Sequence, residues 1–264
     1  MNIILRELRS IWKAQLAWSI GIVFMVMVGM QKYAGFQKSG EQALKLLDSL
    51  PGFIKKIIGL GDLDLTLVSG YYVVFFLYFA LLCGIHAVMQ GAVVISKEER
   101  DKTADFLLVK PVTRRHVVAS KIIASLISVV LLTIVTWLSS LIIVEQFNTG
   151  KSIAGLISRL MVGLFGIQVL FLSLGLFLGA ALRSTRKATG AATALFMGTF
   201  LLSVALDLVR QIGFLKYLTP FKYFDARQIY MHGHSALPFI LTALIVTAAI
   251  TATFIIYEKR DIHA

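Results

Sequence analysis

The chain has 264 residues, of which 58% are hydrophobic and 15% charged, with a formal net charge of +12 and a mean hydropathy of +0.82. Soluble domains carry about 25% charged residues, so a water-soluble globular fold is excluded. The basic excess is explained by Lys and Arg at the ends of apolar spans facing anionic lipid headgroups, with no nucleic-acid partner required.

In chain order, Ile4, Leu8, Ile11, Trp12 and Gln15 follow helical spacing while Arg6, Glu7, Arg9, Ser10 and Lys13 fill the other face. This pattern predicts an amphipathic helix over 1–14 lying in the membrane interface. Uncharged intervals then occur at 14–31, 65–96, 122–144, 160–182, 188–206 and 228–257. A helix needs about 20 apolar residues to cross a hydrocarbon core of about 30 Å, and each interval reaches or nearly reaches that length. They are apolar on all faces, unlike the alternating strands of about 10 residues in a membrane barrel. The expectation is one all-α membrane domain over 1–264, with spans near 15–32, 70–96, 118–144, 158–182, 188–206 and 236–257. The first run is followed by Lys32-Tyr33-Ala34 and no A-x-A cleavage pattern, so it reads as a retained anchor. The single cysteine, Cys83, lies inside the second interval and can form no disulfide within the chain.

Six spans put both ends of the chain on one side. That side carries 15 of the 26 Lys and Arg: three in 1–13, seven in 97–121, three at Arg183, Arg186 and Lys187, and two at Lys259 and Arg260. The density predicts that the termini and the 97–117 segment are cytoplasmic in a multi-pass inner or plasma membrane protein. Segments 33–69 and 207–235 are then external. Residues 41–58 read as two short amphipathic helices on either side of Pro51-Gly52. Tyr217, Phe221, Tyr223, Phe224 and Tyr230, interleaved with Lys216, Lys222 and Arg227, read as an interfacial aromatic belt.

The six intervals contain no Asp, Glu, Lys or Arg. Ion-coupled carriers and membrane proteases use ionisable groups at membrane depth, so both classes are disfavoured. The polar groups that remain are His86, Gln90 and Gln168. They read first as interhelical hydrogen-bonding groups and, as the alternative, as the lining of a pathway. Gly175-x-x-x-Gly179 and Gly190-Ala191-Ala192 read as close-packing surfaces. Thr149-Gly150-Lys151-Ser152 ends like a P-loop, but Glu145 stands where that motif needs glycine and no strand precedes it, so no ATP site is expected there. His232-Gly233-His234 offers too few ligands for a metal site. The residues give no catalytic, cofactor or metal site on this chain.

The most informative segment is SKEERDKTADFLLVKPVTRRHVVASK, residues 96–121. Ser96 and Glu99 have capping-box spacing, Lys110 before Pro111 should end a helix, and Thr113 should cap the next one. Phe106-Leu107-Leu108-Val109 is an apolar tetrad in a charged loop too short to bury it, so it must meet lipid or the groove of a partner. The mixed charges of Glu98, Glu99, Arg100, Asp101, Lys102 and Asp105 suit specific docking.

This segment resembles the one that follows span two in membrane subunits of the type 2 ATP-binding-cassette (ABC-2-type) permeases. Their pattern is paired acidic residues, a basic stretch, Gly-Thr, an apolar turn with Leu-Leu, then Pro-[Val/Ile]-[Ser/Thr]-Arg and a Lys. Glu98, Glu99, Thr103, Leu107, Leu108, Pro111, Val112, Thr113, Arg114 and Lys121 match it, and Lys102 departs from it where glycine is usual. The resemblance implies a type V exporter-like fold: six spans, an N-terminal interfacial helix and a structured external stretch before the last span. It implies one half of a dimer, formed with a second copy or a related permease, above two cytosolic ATPase subunits that hold the ATP and Mg. Docking would use Glu98, Glu99, Thr103, Phe106, Leu107, Leu108, Pro111 and Arg114. The function implied is ATP-driven export of an amphipathic or hydrophobic substrate, a peptide, lipid-like molecule or drug, with no reaction catalysed by this chain. The competing readings are a six-span sensor or assembly factor that moves no substrate, and an ion-coupled carrier.

Overall fold

The computed structural model describes residues 3–49, 51, 63–100, 113–148, 150–182, 184–208 and 215–259, giving only the backbone at 39–48 and 98–100. The helices are α1 (Ile3–Ser49), α2 (Val68–Arg100), α3 (Arg114–Glu145), α4 (Ala154–Ala181), α5 (Thr185–Leu208), α6 (Pro220–Tyr223), α7 (Ala226–His232) and α8 (Ala236–Lys259). Six of them, α1 to α5 and α8, are long and apolar enough to cross a membrane. Among the described residues there is no strand, so the fold is all-α, as the composition predicts.

The interfacial helix expected over 1–14 is not a separate element. It is the start of one 47-residue helix that also contains the first span and continues into the segment assigned outside. No proline occurs before Pro51, and the isolated Gly21, Gly29, Gly35 and Gly40 each cost only about 1 kcal/mol in a helix. The helix stops just ahead of Pro51, where the pre-proline residue disfavours helical geometry. At 1.5 Å per residue it reaches roughly 70 Å, more than twice the hydrocarbon thickness. The first of the two short helices expected in 41–58 is therefore the end of α1; the second falls outside the described residues. Where α1 passes the start of α2, the Tyr33 hydroxyl donates to the Thr66 carbonyl and the Tyr71 hydroxyl to the Gly29 carbonyl, both at 2.8 Å. These bonds pin α1 to the entry of α2. There Asp64 accepts from the Thr66 hydroxyl at 2.6 Å and its N–H at 2.9 Å, which holds the Asp64 carboxyl below the usual carboxylate range.

The centre of the bundle is the pair α2 and α4. Val88 packs on Gly175, Ala92 on Gly175 and Gly179, and Ile95 on Gly179. The positions advance together along both chains, so the two helices run parallel. A side chain at 179 would put its Cβ 2.6 Å from the Ala92 carbonyl oxygen, a distance that no packed structure tolerates. In lipid, where apolar burial drives no association between helices, such backbone approach supplies the dispersion that holds them together. The pair Gly175 and Gly179 thus packs as its spacing predicts. On α5 the contact is made instead by the buried Ala188, Ala192 and Phe196, and a Cβ at Gly190 would meet nothing within 4 Å. Of the expected surface at 190–192, Ala192 packs as its place predicts and Gly190 does not.

Helix α1 packs on α3, α5 on α2 and α4, and α8 on α4, and these three helices leave Ile20, Phe24, Leu201 and Leu244 exposed, as a lipid-facing periphery requires. The aromatic residues before α8 behave differently from a belt. Phe221 and Phe224 are buried, Phe221 within 5.6 Å of the rings of Phe171, Phe196 and Phe200. Phe224 lies against Gly163 and Gly166, whose missing side chains make room for it. Tyr217 alone of the group keeps a large exposed face. The short helices α6 and α7 thus plug the far end of the bundle. A cavity of about 250 Å³ lies beside this plug, floored by Phe200 and Phe221 and rimmed by Asp207, Lys222 and Asp225.

Substituting Gly179→Val should disrupt the α2–α4 seam and lower the thermal midpoint of the detergent-solubilised protein by the equivalent of about 1 to 3 kcal/mol or more. Gly190→Ala, in open space, should be neutral or stabilising by up to about 1 kcal/mol. Thermal unfolding followed by tryptophan fluorescence compares the two.

Candidate functional site

On the side of the termini, the ends of α1, α5 and α8 hold the two stems, on α2 and α3, of the segment that links those helices. Residues 101–112 of that segment lie outside the described residues, and with them Thr103, Phe106, Leu107, Leu108 and Pro111; the side chains of Glu98 and Glu99 do so too. Its two stems are described. Ser96 does not cap a new helix: it sits inside α2, its hydroxyl donating to the Ala92 carbonyl at 2.8 Å, because neither proline nor glycine interrupts the chain between 92 and 100. Thr113 does cap α3, its hydroxyl accepting from the His116 N–H at 3.3 Å.

The stems are held by a buried charge cluster. Glu7 is only 1% exposed and Lys121 is fully buried. The Glu7 carboxylate pairs with the Lys97 ammonium on α2 and lies 4.0 Å from that of Lys121 on α3. Arg6 adds a contact at 3.3 Å. Lys97 also donates to the Ser10 hydroxyl at 2.8 Å, and Lys121 to the Val94 carbonyl. One carboxylate from the first helix thus ties the residue just before the linking segment to one on the helix just after it. The amphipathic pattern placed Glu7 on a solvated face. The pattern fails because the neutralising lysines come from helices distant in sequence.

Three further bonds extend the tie. The Thr185 hydroxyl at the start of α5 donates to the Ser96 carbonyl at 3.0 Å. Arg114 donates to the Glu258 carbonyl at 3.1 Å, and Arg115 forms an ion pair with the Glu258 carboxylate at the end of α8. Arg114, expected at the docking surface, is thereby half of a clasp between α3 and α8. The exposed pair adds little stability, but it fixes where α3 begins.

Of the three polar groups singled out in the spans, two come together. His86 is 6% exposed and meets the Trp18 indole edge-on, with ring centroids 5.2 Å apart. Gln90 accepts from the Ser128 hydroxyl at 3.0 Å, and Gln15 donates to the Ser128 carbonyl at 3.2 Å. Both His86 and Gln90 line a groove of about 200 Å³ between α1 and α2. Gln168 is not part of it: it donates to the Thr133 hydroxyl at 2.7 Å, between α4 and α3. Among the described residues no group of three or more His, Cys, Asp or Glu could hold a metal, and the His234 ring bonds the Arg159 carbonyl at 2.9 Å.

The signal for the cluster was available in the sequence. Glu7 is the only acidic residue in the first 40, standing among Arg6, Arg9 and Lys13. A lone carboxylate in a basic stretch next to a membrane is a candidate for a specific partner. Compared with known families, residues 1–262 match a family model described as ABC-2 family transporter protein. A comparison with curated proteins gave no match.

Glu7→Ala should take the carboxylate away from the buried Lys121 and the part-buried Lys97 and cost about 3 to 5 kcal/mol, read as a large fall in the thermal midpoint. Glu258→Ala, which removes the exposed pair, should shift it by about 1 kcal/mol or less.

Proposed function

Because the chain belongs to the ABC-2 transporter family, and is by that membership a membrane-embedded permease subunit that works with ABC ATPase subunits, we propose that it is half of an ATP-driven exporter of amphipathic or hydrophobic molecules. Two permease halves, identical or related, enclose the translocation path. Two cytosolic ATPases bind the linking segment through Glu98, Glu99, Thr103, Phe106, Leu107, Leu108 and Pro111, and supply the ATP and Mg. The termini and this segment lie on the cytoplasmic face, in agreement with the density of Lys and Arg there.

The observation that supports this reading is the buried tie of Glu7 to Lys97 and Lys121. A force applied between residues 98 and 112 reaches α2 through Lys97 and α3 through Lys121, and the shared carboxylate delivers it to α1 as well. Thr185 and Glu258 extend it to α5 and α8. The parallel α2–α4 seam carries it to the centre of the bundle, since helices in backbone contact do not slide independently. ATPase closure would then tilt the whole half rather than bend one helix. The drive is mechanical, which agrees with spans that hold no carboxylate at depth. ATP hydrolysis belongs to the partner, and this chain transmits its stroke.

Export as the direction follows the family resemblance, and the apolar interior suits an amphipathic or hydrophobic cargo. A sensor or assembly factor would bind the ATPase without substrate-stimulated turnover.

Purification of the tagged chain in mild detergent should recover an ATPase near one-to-one stoichiometry. The double substitution Leu107→Asp with Leu108→Asp should reduce that recovery at least tenfold while leaving the permease in the membrane, because a charge in a desolvated groove costs several kcal/mol. Unchanged recovery in the double variant would place the docking surface elsewhere.

A further inference from the structure

The cavity beside the plug has a graded polarity that the coupling role does not use. Its floor is aromatic, with Phe76, Phe221 and Phe224 buried beside the half-buried Phe200. Along α5 the wall changes character toward the end away from the termini, because Phe200, Ser203 and Asp207 stand three and four residues apart and share one face. Ser203 is 8% exposed, and its hydroxyl makes no hydrogen bond among the described residues. That hydroxyl is not among the oxygens sealed inside the bundle, so the surface it keeps opens on the cavity. The mouth carries charges of both signs. Lys222 donates to Oδ1 of Asp207 at 2.5 Å and stands 3.5 Å from Oδ2 of Asp225. Asp225 is spent on capping α7, its Oδ1 accepting from the N–H groups of Arg227 and Gln228 at 2.9 and 3.1 Å. Arg227, the second cation of the lining, is engaged in an interaction of its own. Oδ2 of Asp207 has no partner among the described residues, and that side chain is 43% exposed. It is the open acceptor at the mouth.

These groups select the occupant. Two carboxylates already share the Lys222 ammonium, so an anionic head would meet Asp207 at close range and find Lys222 taken, a like-charge contact that costs affinity. An ammonium head instead donates to Asp207 in a charge-assisted hydrogen bond. One helical turn deeper, about 6 Å along the axis, the Ser203 hydroxyl can donate to an oxygen of the same molecule. Below that the phenyl rings receive an apolar body. An acyl chain fills the floor but leaves Ser203 and Asp207 without partners. The volume, about 250 Å³, lies under the roughly 300–1,000 Å³ of drug-sized sites, which limits the body to about one ring and a short chain. We propose that this cavity is a binding site for small lipophilic amines, with the ammonium on Asp207, an oxygen on Ser203 and the apolar body on Phe200 and Phe221. Taking such amines as cargo narrows the amphipathic class and rests on the transport reading above, but binding itself needs no ATPase.

The probe is tritiated 4-phenoxybutylamine, whose ether oxygen stands a four-carbon chain from the ammonium. Its binding to the full-length permease in phosphatidylcholine nanodiscs is measured by equilibrium dialysis, with uptake by empty nanodiscs subtracted. Butoxybenzene and 4-phenoxybutanoate keep the ring, the ether and the chain but carry a neutral and an anionic end. The probe should bind saturably, and unlabelled amine should displace it at least tenfold more effectively than either analogue. Asp207→Asn should weaken the amine at least tenfold, and Ser203→Ala about threefold or more, as the loss of one hydrogen bond requires. The variants are compared at matched thermal midpoints, and the displacement series on the unaltered chain decides without them. Uptake with no saturable part, displacement by the neutral ether or the carboxylate as effective as by the amine, or an unchanged affinity in Asp207→Asn overturns the proposal. Because ATPase recovery is read separately, failure here leaves the coupling role standing, and failure of ATPase recovery leaves the amine site standing.

Discussion

A carboxylate buried between two lysines at the edge of a membrane is expensive to assemble and more expensive to disrupt. Desolvating the ions costs several kcal/mol each, which is recovered only while all partners stay together. Glu7 imposes this condition on three helices at once. It makes α1, which buries little apolar surface, inseparable from the stems of the segment between α2 and α3. Lipid-exposed helices lack the hydrophobic driving force that holds soluble bundles together. A charge cluster of this kind is therefore an economical way to fix the position of a peripheral helix.

The centre of the bundle is held by a different means. Gly175 and Gly179 let α4 approach the backbone of α2 at Val88 and Ala92. A seam built from backbone has one register, whereas one built from flexible side chains can re-pack. The two devices divide the molecule into a rigid central pair and a clamped terminal face, with a groove between α1 and α2 joining them.

Much of this was legible in the sequence. The six spans follow from uncharged intervals, because lipid enforces length and composition together. The Gly175 and Gly179 seam follows from spacing, and the Thr113 cap from local chemistry. What escaped was set by tertiary partners. Glu7 looked solvated because its lysines are about 90 and 114 positions away, and pattern arguments see only one helix. Phe221 and Phe224 looked interfacial because nothing local announces that Gly163 and Gly166 leave a hole for a ring. The change of polarity after position 14 suggests a break in α1, but no proline before Pro51 makes one. His86 and Gln90 were identified as a pair from their spacing, but the third candidate, Gln168, could be separated from them only by its bond to Thr133.

The central claim is that the clamped face of one permease moves as a body when the motor closes. Spin labels at the exposed positions Lys13 on α1 and Lys187 on α5, placed in the permease–ATPase complex with Cys83 replaced by Ser, give one distance within a chain and others between the two permease halves. With ATP analogue and Mg added, the account predicts that the distances between halves change while the distance within a chain keeps its value. A change within the chain as large as that between the halves would contradict it, because the helices joined through Glu7, Ser96 and Glu258 would then be moving apart rather than together.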